Sequence, residues 1–226
     1  MSVVHSLKSI PTGKEDPARL RYDRNAWCFD FQDSLFAGMM AKWKHKIIAQ
    51  AKGRVLEVGV GTGKSLPFYP KGVELVGIDI SPKMLARAKA RAHLFPNSQA
   101  LTLQLDDVQA LSFPDDSFDT VITSCVFCSV TDPIRGFQEI NRVLRPGGIG
   151  LHLEHVRSKH PVVGKLMDIM NPLTVRMTGA NINRDTAENI RKSGLRILEE
   201  KDLLFDILKL FKVTKGYFKM GDHENE

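Results

Sequence analysis

The feature that most constrains the fold of this chain is a glycine-rich turn directly after a short apolar segment. Arg54–Val58 has the composition of a buried strand, and Gly59, Gly61 and Gly63 follow it closely. Glycine is needed where the backbone takes a positive φ or where a ligand lies against the main chain. We therefore expect a strand that turns sharply into a helix, with a nucleotide-like ligand at the carboxyl end of that strand.

The sequence around this turn predicts alternating strands and helices. Ser81 and Pro82 form an N-cap followed by proline at the first helical position, so a helix should begin there and run to about His93. The other predicted elements are strands at Glu74–Ile80, Ala100–Leu105, Phe118–Ser124 and Ile149–Glu154, and a helix at Pro133–Leu144 that Pro146-Gly147-Gly148 ends. This alternation is typical of βαβ units in a parallel sheet.

Two segments depart from this alternation. Residues 1–52 are predicted to form an N-terminal arm and lid helices, because apolar residues recur at helical spacing from Leu20 to Lys52. The core should span 53–226, with a helical insertion at about 157–183. Its helical part, His160–Thr178, is a second candidate for the lid. The segments predicted after the insertion are a helix at Arg184–Ser193, strands at Leu195–Lys201 and Phe211–Phe218, and a stretch Leu203–Leu210 that fits either helix or loop.

Three nucleotide-like ligands compete for the glycine turn, and residue spacing separates them. When the turn is aligned with the P-loop motif, Val58 occupies the position of the required first glycine. When it is aligned with the dinucleotide fingerprint, Lys64 occupies the position of the required third glycine. Neither motif therefore matches. The acidic residue before the turn, Glu57, opposes a phosphate but favours a cation. S-adenosylmethionine carries a sulfonium and an ammonium group, so the turn favours this cofactor.

Two acids at successive strand ends supply the other parts of an adenosine site. Asp79 closes the second predicted strand, where a carboxylate can accept both ribose hydroxyls. Asp107 follows the third strand and can accept from an adenine amino group, with the backbone of Val108 beside it. Ile80 is also predicted to contact the cofactor.

Four motifs together resemble the class I S-adenosylmethionine-dependent methyltransferases, over about Tyr22 to Phe218. They are Val55–Gly63, Gly77–Ser81, Leu111–Asp119 and Arg142–Gly148. The resemblance implies an α/β, Rossmann-like, seven-stranded and mostly parallel sheet with flanking helices. It also implies that the last strand, Phe211–Phe218, runs antiparallel and pairs with Leu195–Lys201.

Within that family the chain is most similar to the ubiquinone/menaquinone biosynthesis type, the bacterial phospholipid N-methyltransferases and the methyltransferase-like thiol S-methyltransferases. Arg21-Tyr22-Asp23 resembles the N-terminal element that folds over the cofactor, which would place Tyr22 at the methionine end. The fold would place Ser124 and Cys125 beneath the same end. The product would be S-adenosylhomocysteine.

The candidate catalytic residues follow the fifth predicted strand. His155 is a candidate general base because histidine titrates near neutral pH, and Glu154 could orient it or hold a cationic acceptor. A purely structural role for His155 at the strand end is equally compatible with the sequence. Cys125 and Cys128 have metal-site spacing, but a structural zinc site needs four ligands, so no metal is expected.

Charge and composition limit the partners. The chain of 226 residues has a net charge of +6 and a pI of about 9.2, without a cluster of basic residues. We therefore expect no nucleic-acid partner, while diffuse positive charge leaves open a peripheral contact with anionic lipid at the inner face of a membrane. With no apolar run long enough to span a bilayer and no secretory signal, the expected location is the cytoplasm.

The expected function is methyl transfer to a small apolar or amphiphilic acceptor, and the nearest motifs favour a thiol. N-methylation of a phospholipid amine and methylation of a quinone-type ring remain alternatives. An alternative from another class is a regulatory protein that binds S-adenosylmethionine without turning it over. The sequence does not assign an oligomeric state.

Overall fold

The computed structural model describes residues 19–20, 22–23 and 40–216, and within them the dominant element is one seven-stranded sheet. Its spatial order is β3-β2-β1-β4-β5-β7-β6. The strands are β1 Arg54–Val58, β2 Glu74–Asp79, β3 Leu101–Leu105, β4 Phe118–Ser124, β5 Leu144–His155, β6 Arg196–Leu204 and β7 Leu208–Thr214. β1 to β5 pair in parallel, and β7 runs antiparallel to both β5 and β6. The mostly parallel Rossmann-like sheet with its antiparallel last strand is thus confirmed.

The helices are α1 Pro82–Ala90, α2 Pro133–Val143, α3 Pro161–Thr178 and α4 Thr186–Lys192. Ser81 and Asp132 cap the first two, because each side chain accepts a hydrogen bond from the third residue of the first turn. Each of these two helices begins with a proline, which has no backbone N–H to leave unsatisfied. Residues 40–48 are also helical, and Ile47 and Ile48 of that segment are fully buried.

Apolar side chains cover both faces of the sheet. Alternation along β1 sends Leu56 and Val58 into one buried cluster, together with Phe137 of α2, and sends Val55 into the other. The second cluster holds Ile48 of the N-terminal helical segment. Burial on both faces fixes the strand register, and therefore fixes which residues emerge at the carboxyl ends of the strands.

Several predicted boundaries need correction. The glycine turn leads into a three-residue 3₁₀ helix, Leu66–Phe68, instead of an α-helix. α1 ends at Ala90, and a separate 3₁₀ turn, Ala92–Leu94, follows it. β5 begins at Leu144, where a helix was predicted to end, so Pro146-Gly147-Gly148 lies inside the strand at a register shift.

The end of the chain also differs from the prediction. The stretch Leu203–Leu210 is a hairpin: β6 continues to Leu204, β7 starts at Leu208, and a short turn joins them. Pairing with β5 extends β7 upstream, because Leu208 is opposite His155 in the ladder. Three predicted segments lie outside the described residues: the arm before residue 19, the part of the lid helices at 24–39, and the strand end beyond residue 216. No helix in the described ranges is both long and apolar enough to cross a membrane.

Candidate active site

A cavity of about 830 Å³ opens at the carboxyl ends of the parallel strands. Most of the residues proposed from the sequence line it: Tyr22, Gly59, Gly61, Asp79, Ile80, Asp107, Val108, Ser124, Cys125 and His155. Three others, Glu57, Gly63 and Glu154, do not line it. The cavity lies where α/β sheets of this topology bind their ligands.

Asp79 holds the glycine turn in place. Its Oδ2 accepts a hydrogen bond from the Gly61 backbone N–H at 2.9 Å, and its Oδ1 accepts from Ser81 N–H at 2.9 Å. Burial raises the pKa of this carboxyl to about 6, although both backbone hydrogen bonds oppose the increase. Asp79 therefore joins the ends of β1 and β2, and it also lines the cavity.

Two glycines of the turn serve different purposes. Gly61 has φ +58°, and a Cβ built there would find no atom closer than the Gly59 carbonyl oxygen at 4.0 Å. That open space is the kind of cradle in which a ligand approaches the backbone. Gly63 has φ +79°, and its Cβ would lie 2.9 Å from Ala88 Cα, so it allows α1 to pack against the turn.

Glu57 supports the turn from below. Its carboxylate is buried, accepts a hydrogen bond from Ser65 Oγ at 2.8 Å, and lies 3.9 Å from Lys44 Nζ. Burial raises the pKa of Glu57, and the Lys44 charge opposes that effect. Lys44 and Ser65 both line the cavity, so Glu57 acts on the site through these neighbours.

The loop after β3 forms the next wall. Asp107 caps a 3₁₀ turn, Val108–Ala110, because its Oδ1 accepts from Gln109 N–H at 2.9 Å. Asp106, which sequence reasoning did not select, also lines the cavity. Its carboxylate accepts from the Ser112 hydroxyl at 2.7 Å and from the Asp107 N–H at 2.9 Å, which fixes the position of Asp107.

A short N-terminal piece reaches the cavity from a distant part of the chain. The Tyr22 hydroxyl lies 2.7 Å from Ser129 Oγ, and Asp23 Oδ1 accepts a hydrogen bond from Ser81 Oγ at 2.5 Å. Burial raises the pKa of Tyr22, so its hydroxyl is protonated at neutral pH. These two contacts tie residues 22–23 to the segments that follow β4 and β2.

The loop after β4 is held by Glu154. Thr123 Oγ1 donates to its Oε1 at 2.7 Å, and the Phe127 N–H donates to its Oε2 at 3.1 Å. Burial raises the pKa of Glu154 to about 7. Between these anchors Cys125 takes φ +54°, a backbone conformation that costs energy for a residue with a side chain. Glu154 therefore positions the Cys125 loop, and it does not reach the cavity.

The cysteines of this loop are unsuited to act as nucleophiles. Burial is the main cause that raises the pKa of Cys125 well above its ordinary value and the pKa of Cys128 to about 11. The negative charge of the neighbouring Glu154 carboxylate raises both pKa values further. Both thiols are therefore protonated at neutral pH, whereas a nucleophilic cysteine must be a thiolate. Cys128 Sγ instead donates to the Cys125 carbonyl oxygen at 3.3 Å.

The two histidines of β5 have different environments. His152 is completely buried, lies 3.0 Å from Thr123 Oγ1, and has its pKa lowered to about 3 by burial. His155 lines the cavity, and its buried Nδ1 has no hydrogen-bond partner in the described part of the chain. Burial lowers the pKa of His155, so its imidazole is neutral at pH 7 and able to accept a proton.

The opposite end of the cavity is mostly apolar, with His45 beside Phe68 at 3.5 Å between ring centroids, and sequence reasoning did not assemble it. It is lined by Met40, Phe68, Leu204, Ile207 and Leu208. These side chains come from the N-terminal helical segment, the 3₁₀ helix after the turn, and the β6–β7 hairpin. Helical spacing predicted the first of these segments, but no local signal joins it to a hairpin far along the chain. No residue of α3 lines the cavity in the described structure, and the lid role of this insertion stays a prediction.

Comparison with known sequences identifies related proteins. A methyltransferase domain family matches residues 56–151. Phosphatidylethanolamine N-methyltransferase of Cereibacter sphaeroides is 43% identical over 111 residues, which cover 49% of this chain and 55% of that protein. Human thiol S-methyltransferase TMT1B is 34% identical over 128 residues, or 52% of each chain. The chain thus spans little more than half the length of these two relatives.

One relative is matched over nearly its whole length. The ubiquinone/menaquinone biosynthesis C-methyltransferase UbiE of Hahella chejuensis is 30% identical over 231 residues, which cover 92% of both proteins. Among solved structures, a Haloferax volcanii protein described as a methyltransferase, in complex with the Trm112 activator, superposes with a TM-score of 0.67 at 20% identity. That match covers 87% of this chain and 98% of the other, and it shows a common fold.

Proposed function

Because this chain belongs to the class I S-adenosylmethionine-dependent methyltransferases, we propose that it transfers the methyl group of S-adenosylmethionine to a small apolar or amphiphilic acceptor. The observation that carries the proposal is the two-part cavity. Its polar end has carboxylates and exposed backbone at the strand ends, and its other end is apolar. A cavity of about 830 Å³ is large enough for a cofactor and a small acceptor together.

The residues present fit the cofactor. Asp79 would accept hydrogen bonds from the ribose hydroxyls, Asp107 and the Val108 backbone would hold the adenine edge, and Gly61 would leave room for the ligand. Tyr22, Ser124 and Cys125 would border the methionine end. S-adenosylmethionine, when bound, supplies a methyl group that is already activated by its sulfonium. The protein therefore needs mainly to orient the acceptor and exclude water.

The acceptor that we favour is a thiol. A thiol loses its proton more readily than an alkylammonium group, with ordinary pKa values of about 8.5 and 10.4. The neutral imidazole of His155 at the cavity wall can accept that proton. Lys44, which lines the same cavity, would favour the thiolate by its charge.

A phospholipid amine and a quinone-type ring are the alternatives within the same reaction class. An apolar end is compatible with the hydrophobic part of either molecule, and relatives named for both chemistries are similar in sequence. The three acceptors differ in the proton that must leave. The dependence of the rate on pH is therefore the most useful discriminator.

A screen of acceptors tests the proposal directly. Purified protein is incubated with S-adenosylmethionine and with alkyl thiols, a phosphatidylethanolamine or a quinol, and S-adenosylhomocysteine is measured. We expect turnover with an apolar thiol, at a rate that rises with pH as the thiol ionises. Binding of S-adenosylmethionine without turnover of any acceptor would favour a regulatory protein. A pH-independent rate with every thiol would argue against the thiol branch.

A further inference from the structure

Helix α3 carries a stripe of apolar side chains that no described residue covers. Only Gly164 and Met167 of its 18 residues are buried. The exposed apolar residues are Val162 (70%), Val163 (42%), Leu166 (54%), Ile169 (69%), Met170 (45%), Leu173 (58%) and Met177 (64%). With about 3.6 residues per turn, these seven positions lie within roughly 120° of the helix circumference. Their exposure is therefore concentrated on one face.

Positive charge lies beside this stripe. With the same repeat of about 3.6 residues per turn, the positions of Lys165 and Arg176 are both next to one border of the apolar face. Neither forms an ion pair within the described ranges, and the same holds for Lys159 just before the helix. The single acid of the helix, Asp168, is neutralised by Arg157 at 2.8 Å on another side of the helix.

The stripe is connected to the apolar end of the cavity. Asp206, in the β6–β7 turn, accepts hydrogen bonds from Ser158 Oγ at 2.8 Å and from the Lys159 N–H at 2.6 Å, directly before α3. The same hairpin lines the cavity through Leu204 and Ile207. Phe205, between them, is 83% exposed at φ +47°. One hairpin thus contacts the start of α3, borders the cavity and presents an aromatic side chain to solvent.

We infer that the α3 stripe and Phe205 form a docking surface for a lipid bilayer with anionic headgroups. An amphipathic helix with an apolar face and cations at its border lies in the plane of a membrane interface, with its apolar face in the acyl region. Lysine and arginine stems can follow the apolar surface while their charges meet the headgroups. Lys165 and Arg176 are placed for this role, and charge complementarity favours anionic lipid over a second copy of a chain with net charge +6.

Docking at this place would bring the apolar end of the cavity to the bilayer surface. An amphiphilic acceptor could then move from the membrane into the site without crossing water. This consequence rests on the proposed function, whereas the docking itself does not.

Flotation with vesicles of phosphatidylcholine, alone or mixed with phosphatidylglycerol, tests the docking surface on the full chain. The wild type should float with the mixed vesicles, and less so at high salt. Leu166→Asn combined with Ile169→Asn should lower the apparent affinity roughly a hundredfold, because burial of each apolar side chain contributes about a factor of ten or more. Lys165→Glu with Arg176→Glu should abolish the preference for anionic vesicles.

Leu94→Asn is the matched control, because Leu94 is a 44% exposed leucine near α1, away from this surface. It should bind vesicles like the wild type, and all variants should bind S-adenosylmethionine with unchanged affinity. A wild type that does not float, or stripe variants that float normally, would overturn the inference. A dimer in light scattering that the stripe variant converts to a monomer would assign the surface to a second copy.

Rates with two acceptors separate this inference from the proposed function. The stripe variant should turn over a water-soluble thiol like the wild type but a vesicle-dispersed thiol more slowly. Vesicle binding without turnover of any acceptor would contradict the function and leave docking established.

Discussion

The two ends of the cavity are built in different ways. At the polar end, Asp79, Gly61 and Ser81 are close in sequence to the strand ends that carry them, and the Gly61 and Ser81 N–H groups donate to the Asp79 carboxylate. At the apolar end, Met40 and Leu204 come from opposite ends of the chain and meet only through tertiary packing. The comparison suggests that the donor site is specified locally, and that the acceptor site depends on how distant elements pack.

The largest expected effect comes from a substitution that disrupts only the polar end of the cavity. Gly61→Val would put a branched side chain on a backbone at φ +58° and into the space beside the turn, so binding of S-adenosylmethionine in calorimetry should be lost. Gly72→Val is the control, because Gly72 has φ +92° with no atom within 4 Å of its Cβ position. It should share the backbone strain and keep the affinity. Equal affinity of Gly61→Val and the wild type would refute the donor site.

His155→Gln tests whether His155, which lines the cavity, acts as the general base. If His155 accepts the acceptor proton, kcat should fall about 10²- to 10⁴-fold, the usual contribution of a general base. Affinity for S-adenosylmethionine should not change. Burial lowers the pKa of His155, so protonation of its imidazole should add a further decline of the wild-type rate below the ordinary histidine range, beyond the dependence that thiol ionisation sets. The variant should lack that additional decline. An unchanged kcat and pH profile would leave His155 a structural residue.

Asp79 adds a pH test of the polar end. Its pKa of about 6 means that the carboxylate, which accepts hydrogen bonds, is lost as pH falls through that value. Affinity for S-adenosylmethionine should fall by up to about tenfold per pH unit below the pKa. The stability of the ligand-free chain should respond with the opposite sign, because a raised carboxyl pKa contributes stability that is lost as pH rises through 6. Asp79→Asn should remove both dependences, and persistence of the affinity change would place its origin elsewhere.

The smallest expected effect lies at the apolar end. Leu204→Ala should raise KM for an apolar acceptor roughly 3- to 10-fold, less than full burial of that side chain would contribute. Affinity for S-adenosylmethionine should stay constant. Leu198→Ala, in the same strand but 50% exposed and not lining the cavity, should change neither quantity. A loss of cofactor affinity in the Leu204 variant would show that the two ends are not separable.

The fold was largely predictable because its signals are local. Strand patterns, Ser81 with Pro82, and the glycine turn each depend on neighbours in sequence, so the first four strands agreed closely with the structure. The predicted strand boundaries were wrong where hydrogen bonding to a neighbouring strand sets the end of a strand. β5 extends back to Leu144, and β7 starts at Leu208, because each is completed by hydrogen bonds to another strand.

The site was predictable to a smaller extent. Residues at strand ends could be selected because parallel strands bring their carboxyl ends together, which is why Asp79 and Asp107 were found. The supporting positions of Glu57 and Glu154 were not evident, since an acid that faces the ligand and an acid that holds a loop have the same sequence signal. Ile207 of the β6–β7 hairpin lines the cavity through tertiary contacts, which the spacing of apolar residues along the sequence does not predict.

The structure of the complex with S-adenosylhomocysteine is the most direct test of this account. We predict that its ribose hydroxyls contact Asp79, its adenine lies beside Asp107, and its sulfur points past Cys125 toward the apolar end. The space between Leu204 and Phe68 should remain available for an acceptor. A nucleoside bound at that apolar end, or away from the glycine turn, would contradict the assignment of the two ends.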